Sequence, residues 1–183
     1  IIGVQYACKV VVLPVDMLAE QIMNGSFKQL TLGVLNSDPK SKPGKHWMEF
    51  GYEPATKRLW LRDPTPGGSR YMASAKYALS DAGANVISAV GMGYQDYEAP
   101  DICGYILSFT MSSGLISVNG DIGKYLACDV STLPKMPRNW PELAQLILTR
   151  FKDNEDHNGA PKFPWGSCPL MRDNKESKNR NWP

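Results

Sequence analysis

His46-Trp-Met-Glu-Phe-Gly-Tyr-Glu-Pro-Ala-Thr-Lys-Arg-Leu-Trp-Leu-Arg-Asp63 is the stretch on which the fold turns. His46 to Tyr52 alternates in polarity, Glu53 to Lys57 carries turn residues, and Arg58 to Arg62 alternates again, so the stretch reads as a β-hairpin. Folding the chain back near Pro54-Ala55 sets the start of one strand against the end of the next. His46 and Asp63, seventeen residues apart, become neighbours.

Upstream, Gln29 to Leu35 reads as a further strand, joined to the hairpin by the turn-rich loop Asn36 to Gly44, which makes an antiparallel meander of three strands. Before it, the β-branched run Cys8 to Val15 is consistent with a buried strand, though too short for pattern alone to separate it from a buried helix. Met17 to Met23 reads as a short helix capped by Asp16 and stopped by Asn24-Gly25. Downstream, Asp63-Pro-Thr-Pro-Gly-Gly68 closes the hairpin. Tyr71, Ala75, Ala78 and Leu79 fall at helical spacing and predict a helix from Ser69 to Asp81 ended by Gly83, with a strand over Asn85 to Val90. After a glycine-bearing loop, Gly91 to Pro100, the apolar run Cys103 to Met111 predicts a helix that begins at or near the cysteine. Pro141 to Phe151 predicts another, with proline in its first turn and Leu143, Leu146 and Ile147 on or beside one face. The expected class is α+β, a central and mainly antiparallel sheet flanked by helices. Residues 1–170 are expected to form one domain and 171–183 a flexible polar tail.

A chain of 183 residues buries roughly 70% of the surface it exposes when unfolded, so it needs neither disulfides nor a metal to build a core. Twenty Lys and Arg against eighteen Asp and Glu leave a net charge of +2, a poor match to nucleic-acid binding driven by counterion release. Cys8, Cys103, Cys128 and Cys168 form no Cys-x-x-Cys pair, so no zinc site or disulfide framework is expected, and a reducing compartment fits, the cytoplasm or nucleus of the producing cell or of a host cell. The apolar run Val10 to Leu13 is too short to cross a bilayer. The chain opens on Ile1 rather than Met and reads as a piece of a longer or processed protein. No cofactor is implied, and no oligomeric state is legible.

Two histidines make the acid-base options few. His157 lies in the polar run Asp153 to Gly159 and reads as solvated surface. His46 has a carboxylate across the hairpin, able to fix its tautomer and to stabilise its imidazolium, although a surface ion pair is the plainer alternative. Cys103 opens an apolar helix, where unpaired amides and the helix dipole favour a thiolate. Gly104 beside it lets a substrate backbone approach.

The order His46-Trp47, Asp63, Gln95, Cys103-Gly104, on strand, strand, loop and helix, resembles the adenain and ubiquitin-like-protein protease superfamily of cysteine peptidases. That superfamily includes deSUMOylating enzymes, bacterial effector deubiquitinases and the adenovirus maturation protease. The resemblance covers Leu30 to Met111. It implies Cys103 as nucleophile at the start of a buried helix, His46 as general base and acid, and Asp63 as its orienter. Gln95 and the Cys103 amide would be oxyanion donors, each worth about 2.7–4 kcal/mol. Trp47 and Gly104 would line the substrate path, and the implied substrate is the Gly-Gly tail of ubiquitin or a ubiquitin-like modifier. The sequence departs from the pattern in three places. Gln95 stands eight residues before Cys103, Ile102 separates Asp101 from the cysteine, and the 45 residues before His46 hold no tryptophan.

Three alternatives stand beside this reading: a processing peptidase for a viral or other polyprotein, an acetyltransferase using the same cysteine and histidine, and a protein-binding module without catalysis. The acetyltransferase would need a basic site for CoA and inositol phosphate, which only the tail approaches. The opening Ile1-Ile-Gly-Val4 is shared with activated trypsin-like proteases, but Gly-Asp-Ser-Gly-Gly is absent and Trp165-Gly-Ser-Cys168 does not replace it. A papain-type order, Cys8 or Cys103 with His157, lacks apolar support around the histidine.

Overall fold

A computed structural model of the chain describes residues 10–42, 44–95, 102–132, 138–139 and 141–145. Five strands, β1 (Val10–Pro14), β2 (Thr31–Asn36), β3 (Trp47–Glu53), β4 (Arg58–Asp63) and β5 (Asn85–Gly91), form one sheet in sequence order. Helix α1 (Val15–Met23) links β1 to β2, and α2 (Arg70–Asp81) links β4 to β5. Helices α3 (Cys103–Ser117) and α4 (Ile122–Ala127) follow.

The expected hairpin is β3 and β4, paired antiparallel with Glu49 opposite Arg62 and Glu53 opposite Arg58, and β2 adds to β3 antiparallel. The outer pairs, β1 with β2 and β4 with β5, are parallel. The sheet is therefore mixed rather than mainly antiparallel. Parallel neighbours need a crossover, and a helix intervenes at both places. The class, α+β with helices on the sheet, stands as expected.

Strand alternation sorts the side chains into two cores. Met48, Phe50 and Tyr52 of β3 with Leu59 and Leu61 of β4 pack against Leu18 and Ile22 of α1 and Ala75 and Leu79 of α2. On the opposite face Leu32 packs with Met111 and Leu115 of α3 and Tyr125 and Leu126 of α4. Gly51 lets α4 come close, since a Cβ there would fall 2.3 Å from Leu126 Cδ1.

Two helix limits differ from expectation. Helix α1 starts at Val15 with Pro14 at its N-cap; Asp16 lies in the first turn and receives the Lys40 amide at 3.0 Å. Helix α3 runs six residues past Met111. Ser112 does not stop it because its hydroxyl donates to Ser108 O at 2.7 Å, inside the helix. Of the helix expected over Pro141 to Phe151, residues 141–145 are described and helical, with Leu143 buried beside Ile102 and Ile106. His157, Cys8, Cys168 and the tail 171–183 lie outside the described residues, as does Asp101.

Candidate active site

His46 sits immediately before β3 and Asp63 is the last residue of β4, so the hairpin presents both at one end of the sheet. His46 Nε2 lies 2.8 Å from Asp63 Oδ1, with the two residues 5% and 0% exposed. The surface ion pair that the sequence left open is instead a buried one.

Asp63 is held by its own turn. The Asp63-Pro-Thr65 sequence makes an Asx turn in which Thr65 donates its amide at 2.9 Å and its hydroxyl at 2.6 Å to Oδ1. Ser69, the N-cap of α2, donates its amide at 3.0 Å and its hydroxyl at 2.5 Å to Oδ2. Burial works to protonate the carboxyl. The bonds from His46, Ser69 and Thr65, with the imidazolium charge, outweigh it and hold Asp63 well below the usual carboxylate range.

Cys103 is the first residue of α3 and 2% exposed. Ile102, at the N-cap, makes no side-chain cap bond, and the positive end of the helix dipole falls at Cys103. Burial of His46 opposes its charge. Hydrogen bonds to Asp63 and Cys103, and the charges of both, overcome that penalty and push its pKa up to about 9. Asp63 takes Nε2, which leaves Nδ1 as the second ring nitrogen. The structure thus joins His46 to Asp63, with Cys103 near enough to His46 to raise its pKa.

Gln95 is 3% exposed and its amide donates to Pro64 O at 2.9 Å, in the turn after Asp63. Met92 and Tyr94 reach the same turn through bonds to Asp63 O at 2.6 Å and Pro64 O at 2.9 Å. Gly91 makes this approach possible, because a Cβ there would fall 2.0 Å from Gly68 N. Trp47, half-buried at the start of β3, meets Gly104 of α3: a Cβ on Gly104 would lie 3.7 Å from Trp47 Cδ1. Trp47 and Gly104 are therefore adjacent, on the helix turn that begins with Cys103.

Sequence reading missed three holders of the site. Thr65 and Ser69 were legible in principle from the Asx-turn and N-cap signatures. Tyr71, whose ring stacks on His46 with centroids 5.4 Å apart and planes at 28°, left no local signal. A second buried network, on the opposite face, was also missed. Arg62 Nη1 donates to Glu49 Oε1 at 3.2 Å, and Tyr125 Oη donates to Glu49 Oε2 at 2.7 Å. Arg62 Nη2 donates to the carbonyls of Tyr125, Leu126 and Cys128 at 3.0, 3.1 and 3.1 Å and so caps the end of α4. Among the described residues no group of His, Cys, Asp and Glu could hold a metal ion, and no helix is long and apolar enough to cross a membrane.

No family model matches the chain, and no curated protein matches it. Among solved structures it is similar to one described as AvrA delL154 with IP6 and CoA, with TM-score 0.48 and 16% identity, covering 71% of this chain and 51% of that one. It is also similar to the Legionella pneumophila effector protein RavZ, with TM-score 0.37 and 14% identity, covering 70% of this chain and 42% of that one. A second RavZ structure gives TM-score 0.35 and 13% identity over 66% and 42% of the two chains. This chain spans about half of the first solved chain and less of the other two.

Proposed function

We propose that the chain is a cysteine peptidase that cleaves a peptide or isopeptide bond after the Gly-Gly tail of ubiquitin or a ubiquitin-like modifier. The observation that carries this reading is His46, buried and bonded to Asp63 at 2.8 Å and near enough to Cys103 for the two to interact electrostatically, with Cys103 the first residue of a helix. An imidazole raised to about 9 is protonated at neutral pH, the form that can give a proton to a leaving amine.

The Cys103 thiolate attacks the carbonyl carbon, and the oxygen takes the negative charge. The backbone amide of Cys103 and the side chain of Gln95 receive it. His46 gives its proton to the departing amine as the C–N bond breaks, which leaves a thioester on Cys103. Neutral His46 then takes a proton from water, which attacks the thioester and restores the thiol pair. Asp63 keeps the ring oriented and the imidazolium stabilised throughout.

The substrate assignment rests on the sequence resemblance and on the closeness of Trp47 to Gly104, which suits a chain end without side chains. A near-neutral surface charge fits recognition of a protein by shape rather than of a polyanion.

A panel of ubiquitin, SUMO and related modifiers, each with a C-terminal fluorogenic group or a thiol-reactive warhead, tests the assignment. Turnover and covalent capture are expected on at least one modifier, both lost in Cys103→Ala. Failure on every modifier, with Cys103 still reactive toward a small alkylating agent, would favour the polyprotein-processing alternative.

A further inference from the structure

We propose that Tyr71 is a positioning residue for His46, the flat wall that keeps the imidazole in the orientation joining Asp63 to Cys103. This inference rests on the catalytic reading above. One hydrogen bond, Nε2 to Asp63 Oδ1 at 2.8 Å, fixes one point of the ring. The terminal torsion of histidine is broad, so the ring can still swing about that point and carry Nδ1 away from the sulfur. A second plane lying against the imidazole removes this freedom. Tyr71 supplies it, 5.4 Å away between centroids and tilted by 28°.

The local sequence explains why wall and carboxylate stay in register. Tyr71 is the second residue of α2, and the N-cap of α2 is Ser69, which grips Asp63 Oδ2 through both its amide and its hydroxyl. Asp63 therefore sets the start of α2, and the start of α2 sets Tyr71. Both constraints on His46 come from one turn.

The charged and titratable groups about the stack are Asp63 and Cys103 on the imidazole, and Arg70, Lys45 and Asp38 about the phenol. Arg70 lies over the Tyr71 ring, 5.1 Å from its centroid, with Nη2 3.2 Å from Oη. A cation already drawing on that ring limits what its π face can add to the imidazolium. The service of Tyr71 is thus geometric, and a phenyl ring should perform it.

The test is iodoacetamide alkylation of Cys103 in the intact chain across pH, followed by mass spectrometry of the Cys103 peptide so that the other cysteines do not interfere. The wild-type chain is expected to show a limb of Cys103 alkylation at low pH that His46→Gln removes, the mark of the imidazole acting on the sulfur. Tyr71→Leu should lose that low-pH limb by about tenfold or more, the scale of a misplaced catalytic group, while Tyr71→Phe should restore it. A low-pH limb present in the wild type and unchanged in Tyr71→Leu overturns the proposal. A wild-type chain with no such limb overturns the thiolate–imidazolium reading itself, and the two failures are therefore distinct. Should Tyr71→Leu not melt cooperatively, Tyr71→Met removes the plane at similar volume and is read by the same outcomes.

Discussion

Arg62 and Asp63 are consecutive on β4, so they leave the sheet on opposite faces, and each meets a buried partner from the β3 segment, Glu49 and His46. The two pairs use the same kinds of groups and do opposite things. At Glu49, burial is the largest influence and raises the carboxyl above its usual range despite Arg62 and Tyr125. The donors there are spent on protein acceptors, including three carbonyls at the end of α4. At Asp63, five donor groups overcome burial and keep the carboxylate charged, and on the proposed reading the second ring nitrogen of His46 serves the sulfur of Cys103. A buried charge pair marks chemistry when it retains a reactive atom beside a nucleophile. Otherwise it is a fastening.

The sharpest way to break this comparison is Asp63→Asn. Asparagine keeps the shape but has one oxygen, so it can accept from Ser69 or from Thr65 and not from both, and thermal melts should show a loss of stability alongside. His46 loses its charged partner, and kcat/KM on whichever modifier is turned over should fall by about 10⁴-fold, as for other triads with the wrong tautomer. Retained activity would make His46–Asp63 a fastening like its counterpart. Next in size is Arg62→Met, which strands Glu49 in the core and should cost about 3–5 kcal/mol in urea unfolding. Adding Glu49→Leu should recover much of that loss, with the pH profile of Cys103 alkylation unmoved in the double variant.

The pH dependence of unfolding separates the pairs further. His46, raised to about 9, contributes stability that is full below the ordinary histidine pKa and lost as pH rises through its own. Asp63, depressed, contributes stability present above the ordinary carboxylate range and lost as pH falls through its folded value. Glu49, raised, has the opposite sign to Asp63, since acid favours its folded, protonated form. Urea unfolding at a series of pH values should therefore show a decline on the alkaline side, from about pH 6.5 to about 9, that disappears in His46→Gln.

The hairpin and its dyad were legible because everything that defines them is local: two alternating runs, one turn, and a register that follows from the turn. Cys103 was singled out by its order after His46 and Asp63 rather than by its own run, since a cysteine in an apolar run is most often a buried structural one. The parallel outer strands were half-legible, since both crossover helices were expected but their consequence for strand direction was not drawn. Tyr125 lies 76 residues from Glu49, and no pattern within either segment points to the other. Tyr71 was read as one apolar position of an amphipathic helix. Only the placement of α2 against the sheet end turns it toward His46. Nothing in the segment of Arg62 points to the helix end that it caps 63 residues on.

The smallest expected effect comes from Ser69→Ala, and it tests whether capping and catalysis are separable at the turn that holds Asp63. The Ser69 hydroxyl accepts from Met72 N at 3.3 Å and donates to Asp63 Oδ2 at 2.5 Å. Alanine keeps the amide bond to Oδ2 and loses the rest, at a cost of about 1 kcal/mol. Asp121→Ala, which removes the N-cap bond to Lys124 N at 3.0 Å on α4, should cost a similar amount. Thermal melts should therefore place the two variants together, whereas Cys103 alkylation should weaken only in Ser69→Ala, and by much less than in Asp63→Asn. If Ser69→Ala fell as far as Asp63→Asn, the carboxylate would owe its orientation to one hydroxyl rather than to its five donors. The turn, and not the charge pair, would then be the element that sets His46.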